Sequence, residues 1–215
     1  DHVVAAKALF GSCRWLVDSL LPKFGVKTTL VHGPDLDAWR AAITPETKVF
    51  FFETPAYPTL DIVDIAGLAE IAKPQGIKLV VDNVFATPIL QKPLRLGADI
   101  VAYSATKHID GQGRVLGGCV LGSEAFVMET LLPFLRNTGP TLSPFNAWVL
   151  LKGLETLDLR VRQMAENAQK IAQYLEQKGL KVLYPSLESH PQRALNAAQM
   201  QTGGTIMSLY VGSGR

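Results

Sequence analysis

Cysteine is scarce: Cys13 and Cys119 are the only two in 215 residues. Neither falls in a CxxC or Cys/His spacing, which argues against a disulfide scaffold and a zinc site and points to a reduced, cytoplasmic setting. An excess of one charge is missing too. Lys and Arg number 21 against 19 Asp and Glu, a net +2 scattered along the chain, so no basic patch marks a nucleic-acid or anionic-membrane surface. The expected partners are a small molecule and other copies of the chain. No apolar run approaches the roughly 20 residues of a membrane span. The opening DHVVAAKALF has the form of neither a signal nor a transit peptide. Repeats and low-complexity tracts are also absent. What remains is a 47% hydrophobic chain with ample material for a core. It opens without Met and stops at GSGR after the strand-like TIMSLYVG, so a piece of a longer protein is expected.

Apolar β-rich runs alternate with segments of helical period. HVVA at 2–5 precedes a helix near 11–22, and VKTTLVH at 26–32 precedes DLDAWRAAI at 35–43. KVFFFE at 48–53 leads through TPAYPT into the amphipathic DIVDIAGLAEIAK, then IKLVVDN at 77–83 and ADIVAYS at 98–104. Strands this continuously apolar are covered on both faces, and their alternation with helices implies right-handed crossovers. The expected class is α/β, a mostly parallel sheet with flanking helices. The spacing predicts one long helical stretch from 143 to Gly179, a residue suited to a helix C-terminus, and strands at 180–185 and 204–211. The expected organisation is residues 1–142 as part of a large domain, 143–179 as a connecting helix region, and 180–215 as the start of a smaller α/β C-terminal domain.

Ligands of an open parallel sheet bind outside the carboxyl ends of its strands. Three ends carry polar groups: Glu53 followed by TPAYP, Asp82 with Asn83, and Ser104, Thr106, Lys107 and His108. A lysine drawn from a buried strand into a crevice loses solvation, which lowers its pKa and frees an amine to form a Schiff base. Hydroxyls at Ser104 and Thr106 can donate to phosphate, and Asp82 can pair with a protonated pyridine nitrogen. Taken singly, Lys107 reads first as a solvated surface residue, and Asp82 reads equally as a helix cap. His108 reads as structural, and Cys119 as a small buried strand residue. Asp82 and Lys107 closing adjacent strands carry the argument for a site. GQGRVLGG at 111–118 runs into the strand-like CVLG instead of opening a helix, so it reads as a tight turn, not a nucleotide loop.

Three stretches, FFETPAYPTL, KLVVDNVFATPILQKPLRLGADIVAYSATKHIDGQGRVLGG and GPTLSPFNAWVLLKGLETLDLRVRQMAENA, together resemble the pyridoxal-phosphate enzymes of cysteine and methionine metabolism. YPSLESHPQRALNAAQM matches the stretch that family places before its C-terminal domain. The resemblance implies the aspartate-aminotransferase type of fold (fold type I) and pyridoxal 5'-phosphate as cofactor. By position, Lys107 would hold the cofactor as a Schiff base, Asp82 would face the pyridine nitrogen, and Ser104 and Thr106 would bind the phosphate. Phe10 would stack on the ring where the family usually has tyrosine, so any phenolic acid–base role is absent. Tyr57 stands where an asparagine usually contacts the ring hydroxyl. It would have to swing away or displace something.

The resemblance is greatest to members that replace the succinate of O-succinylhomoserine by sulfide in methionine biosynthesis. Other expected outcomes are exchange for cysteine, use of the acetyl ester, or γ-elimination of methionine or cystathionine. A non-catalytic cofactor- or nucleotide-binding module is the alternative of a different class. The family typically forms homotetramers of dimers that share active sites, with substrate-carboxylate residues in a C-terminal domain, so these 215 residues alone are expected to be inactive.

Overall fold

The computed structural model describes residues 1–212. Strands β1 (His2–Ala6), β2 (Lys27–Val31), β3 (Thr47–Glu53), β4 (Lys78–Asp82), β5 (Ile100–Ser104) and β6 (Gly118–Leu121) form one sheet in the order β2-β1-β3-β4-β5-β6. The first five are parallel, and β6 returns antiparallel to β5. Short helices α1 (Gly11–Trp15), α2 (Leu36–Ala41), α3 (Ile65–Ala72) and α4 (Thr87–Leu90) leave the carboxyl ends of β1 to β4. That is the alternation the apolar runs predict.

Burial explains why the strands read as unbroken hydrophobic runs. Val4, Phe50, Phe52, Leu79 and Val81 are fully covered, packed with Trp39 of α2 and Ile65 and Leu68 of α3. The Trp39 ring lies 4.9 Å from Phe50 and 5.9 Å from Phe52, and its Nε1 donates to the Gly33 carbonyl at 2.9 Å. The indole's one polar atom is thus satisfied inside the core. Asp35 and Asp64 cap α2 and α3 by accepting N–H groups of their first turns.

Helix α3 starts later than its periodicity predicts. Residues 61–63 stay outside the helix because their main-chain groups are taken elsewhere: Ile62 donates to Gln192 Oε1 at 2.8 Å and Val63 to Thr54 Oγ1 at 3.0 Å. Gln192 precedes α8 (Arg193–Gln199), whose Gln199 amide donates to the Val63 carbonyl at 3.1 Å.

The long helical stretch is two helices, α6 (Pro144–Glu155) and α7 (Leu157–Gln177), preceded by α5 (Leu132–Thr138). They part at Thr156, where φ −113° and ψ 5° leave the helical region. The Arg160 guanidinium takes the Gly153 carbonyl at 2.8 Å and the Thr156 hydroxyl at 3.0 Å, holding the break with side-chain bonds. Helix α7 is followed by Gly179 at φ +79°, the left-handed position a glycine suits. The strands expected at 180–185 and 204–211 shrink to a two-residue antiparallel pair, β7 (Val182–Leu183) and β8 (Ser208–Leu209). Beyond them buried Tyr184 replaces the ladder with a side chain, its hydroxyl donating to the Gly204 carbonyl at 2.8 Å, and Pro185 has no N–H to offer.

Gly153 packs α6 against the loop after β5, where an added Cβ would meet the Ile109 carbonyl oxygen at 2.2 Å. Alanine ordinarily strengthens a helix interior by about 1 kcal/mol over glycine. Here Gly153→Ala should instead destabilise by about 1–3 kcal/mol through overpacking, read as a lower urea midpoint at unchanged slope.

Candidate cofactor site

Parallel register brings the polar strand ends to one edge. Glu53 on β3 pairs with Asp82 on β4, and Asp82 pairs with Ala102 on β5, two residues before Ser104. Phe10 follows β1, the other neighbour of β3. Asp82 and the Ser104–Lys107 segment therefore leave adjacent strands in the same direction.

A buried amide network holds the turn after Asp82. Asn83, fully buried, directs its Nδ2 to the Tyr103 hydroxyl at 2.9 Å and to the Gln91 and Thr87 carbonyls at 3.1 and 3.2 Å. The Gln91 amide donates to Asn83 Oδ1 at 2.8 Å and to the Thr54 carbonyl at 3.0 Å, tying this turn to the end of β3. Asp82 itself accepts the Val84 N–H at 3.1 Å, the turn-capping contact its sequence position allows. Burial nevertheless pushes its carboxyl above the ordinary range. No ion pair among the described residues includes it.

Beyond β5 the chain makes a wide turn, Ala105–Ile109, that Lys107 interrupts at φ −85°, ψ −113°. Ser104 precedes this turn without its hydroxyl capping any N–H of it. The Thr106 hydroxyl faces the glycine turn: it accepts the Gly117 N–H at 3.0 Å, and the Gly117 carbonyl lies 3.4 Å away. GQGRVLGG leads back into β6 as the glycine pattern predicts, with Gly111 and Gly113 at φ +75° and +68°. Cys119, read as buried, is only half-buried, because β6 is the edge of the sheet.

Lys107 is exposed, so the loss of solvation expected of a lysine in a crevice is not supplied by these residues. It opens onto a cavity of about 520 Å³ lined by Phe85, His108, Gly111, Arg160, Gln163 and Met164. Arg160 fixes the far side of this loop by donating to the His108 carbonyl at 2.9 Å, and His108 Nε2 lies 2.8 Å from the Thr205 hydroxyl. Burial, then the Arg160 charge, hold the His108 imidazole below its usual pKa, in keeping with a structural role. Arg160 gives no sign of this task in LDLRVR, where it reads as one more helix-surface cation.

Phe10 and Tyr57 are half-exposed, at 54% and 49%. The Tyr57 ring packs on Phe85, centroids 5.6 Å apart. Their backbones converge on a residue that the sequence marks only as a strand end, Glu53. Its Oε2 accepts the Phe10 N–H at 3.0 Å and its Oε1 the Tyr57 N–H at 2.9 Å. Glu53 is 2% exposed, and burial pushes its carboxyl up to about 7 against the pull of those two bonds. Cys13 faces both acids: burial, then Asp82 and Glu53, raise its thiol to about 11, leaving it a neutral thiol.

A shielded carboxylate without a cation, an uncommitted serine hydroxyl and a solvent-reaching lysine form a donor set that fits a protonated pyridine nitrogen, a phosphate and an aldehyde. The family model for "Cys/Met metabolism PLP-dependent enzyme" matches residues 1–215. The chain belongs to this family. Its cofactor is therefore pyridoxal phosphate. It is 50% identical over 210 residues to an O-succinylhomoserine sulfhydrylase of Mycobacterium tuberculosis, an alignment covering 97% of this chain and 52% of that protein. It is 43% identical over 210 residues to an L-methionine gamma-lyase of Pseudomonas putida, covering 96% and 53%. The crystal structure of cystathionine gamma-lyase from Lactobacillus plantarum complexed with L-serine superposes with a TM-score of 0.95 at 36% identity, covering 99% of this chain and 56% of that one. The chain thus spans about half the length of these relatives, and the fold is that of fold type I trans-sulfuration enzymes.

Glu53 makes stability pH-dependent in a defined direction. Its folded pKa of about 7 lies above the 4.5 of the free side chain, so between these values the folded state holds the extra proton. Stability from this group falls as pH rises from 4.5 to 7. Relative to Glu53→Gln, the wild type should lose about 3 kcal/mol of unfolding free energy across that interval, measured by urea unfolding of both proteins at each pH. A difference that stays flat with pH would contradict the raised pKa.

Proposed function

We propose that the full-length protein catalyses γ-replacement on O-succinylhomoserine, with sulfide entering, homocysteine formed and succinate released. The observation that carries this reading is Asp82 and Lys107 closing adjacent parallel strands, in a chain whose similarity is greater to the mycobacterial sulfhydrylase than to the methionine lyase.

Bound pyridoxal phosphate supplies an aldehyde that captures the substrate amine and a ring that takes up the electron pair left at the α carbon. Lys107 Nζ would hold the aldehyde until substrate displaces it, then act as the base that removes the α proton. Asp82 would keep the ring nitrogen protonated. Its desolvation makes it a demanding partner, since a cation beside it restores what burial removes. Ser104 and Thr106 would donate to phosphate oxygens, Thr106 by releasing the Gly117 carbonyl. Phe10 would cover one ring face. As it carries no hydroxyl it cannot deliver a proton to a leaving group, which suits succinate, a carboxylate that departs unprotonated, over the more basic thiolate that a methionine or cystathionine lyase expels. With Tyr57 turned onto Phe85, the ring hydroxyl would lack the side-chain amide usual at that position. The net change is a γ carbon–oxygen bond broken and a γ carbon–sulfur bond made, without a redox step.

The proposal further includes a division at about 142 and 179, a homotetramer of dimers sharing active sites, and loss of turnover in these 215 residues alone, which span about half of the mycobacterial relative. Among the described residues no helix is long and apolar enough to cross a membrane.

The deciding experiment offers O-succinylhomoserine to the full-length protein with sulfide and cysteine in competition. Homocysteine is expected. Cystathionine would assign a cystathionine γ-synthase, and 2-oxobutyrate without a thiol acceptor a lyase. O-acetylhomoserine as the better substrate would assign the acetyl-ester enzyme. Asp82→Ala should lose about a hundredfold or more in turnover while cofactor affinity changes far less, because the phosphate donors remain. Equal turnover in wild type and variant would overturn the role given to Asp82.

A further inference from the structure

We propose that Glu53 is a positioning residue of the cofactor site, its carboxylate holding the segments that carry Phe10 and Tyr57 against the strand end where Asp82 emerges. This rests on the cofactor reading above and adds a residue that touches neither substrate nor cofactor.

The geometry is that of a two-armed clamp. Each oxygen of one carboxylate takes one backbone N–H, from segments 43 residues away on one side and four on the other. Both bonds are of normal length, 3.0 and 2.9 Å, and charge-assisted. Phe10 stands at the N-cap of α1 with φ −53° and ψ 139°, so its N–H lies outside the helix ladder and Glu53 satisfies it. The second arm continues outward: Tyr57 packs on Phe85, and Phe85 lines the cavity that Lys107 opens onto. One buried side chain thereby holds the backbone that carries the Phe10 ring and, through Tyr57, the residue packed on Phe85 in the wall of the cavity that Lys107 also lines.

Only an ionised carboxylate does this, the form that Glu53 takes above its pKa of about 7. It offers two acceptors and no donor, whereas an amide or a protonated acid turns a donor toward one of the two N–H groups. Holding that carboxylate buried beside Asp82 and Cys13, with no cation paired to it among the described residues, is unfavourable. A residue serving packing alone would be better apolar at this position.

The test uses the full-length protein freed of cofactor and titrated with pyridoxal phosphate, following the dissociation constant and the visible circular dichroism of the bound cofactor, which reports the tilt of its ring. At about pH 8, where Glu53 is ionised, the dissociation constant in Glu53→Gln should rise about tenfold and the induced band should fall by about half or more, with the far-UV spectrum near wild type. In a Phe10→Ala background the same substitution should change the constant less than about threefold, since the ring it positions is gone. Should Glu53→Gln fail to fold, Glu53→Asp takes its place. It keeps the charge but is too short to reach both N–H groups, and the same shifts are expected. Unchanged binding and dichroism in the folded variant, or fully additive effects with Phe10→Ala, would overturn the role of Glu53 alone. A wild-type protein that does not bind pyridoxal phosphate would overturn the cofactor reading beneath it.

Discussion

The parallel pairing of β4 with β3 on one side and β5 on the other is the constraint from which the site follows. Main-chain hydrogen bonding fixes Glu53 beside Asp82 and Asp82 beside Ala102, so three strand ends deliver their polar residues to one edge without any side-chain attraction between them. The apolar interior of those strands, with Phe50, Phe52, Leu79 and Val81 fully covered, makes a register slip costly, since it would expose one face of the core. The chemistry stands on a scaffold stabilised by residues that take no part in it.

What the scaffold brings together is electrostatically unfavourable in isolation. Glu53 and Asp82 are neighbouring carboxyls, both raised by burial, with a neutral Cys13 thiol facing them. A cationic ring nitrogen beside Asp82 would relieve the part of that cost that Asp82 bears. On the proposed placement the cofactor would contribute to the fold's charge balance as well as supply its chemistry. Around this centre the polar fixing is done by uncharged or outward groups: the Asn83–Gln91 amides below the Asp82 turn, and Arg160 behind the Lys107 loop.

Much of this was legible in the sequence because it is written in periodicity and position. Continuous runs such as KVFFFE and IKLVVDN announce covered parallel strands, and their terminal acids, like the SATKH that follows IVAYS, mark the ligand edge. The boundaries that failed to show depend on distant partners. The late start of α3 is imposed by Gln192 and Gln199, more than 120 residues away, and the short β7–β8 pair by the Tyr184 hydroxyl. The break at Thr156 needs Arg160 in three dimensions. Glu53 was visible as a strand end but not as a clamp, because its partners are backbone N–H groups that no side-chain pattern records. The exposure of Lys107 was equally hidden, since it depends on what surrounds the loop.

The central claim is that Lys107 is the residue that receives the cofactor's aldehyde. Reduction of the pyridoxal-phosphate-loaded full-length protein with borohydride fixes that bond permanently, and peptide mass spectrometry then locates it. The account predicts a single phosphopyridoxyl adduct on the peptide containing SATKH, at Lys107. An adduct at another lysine, or none in a protein saturated with the cofactor, would contradict it.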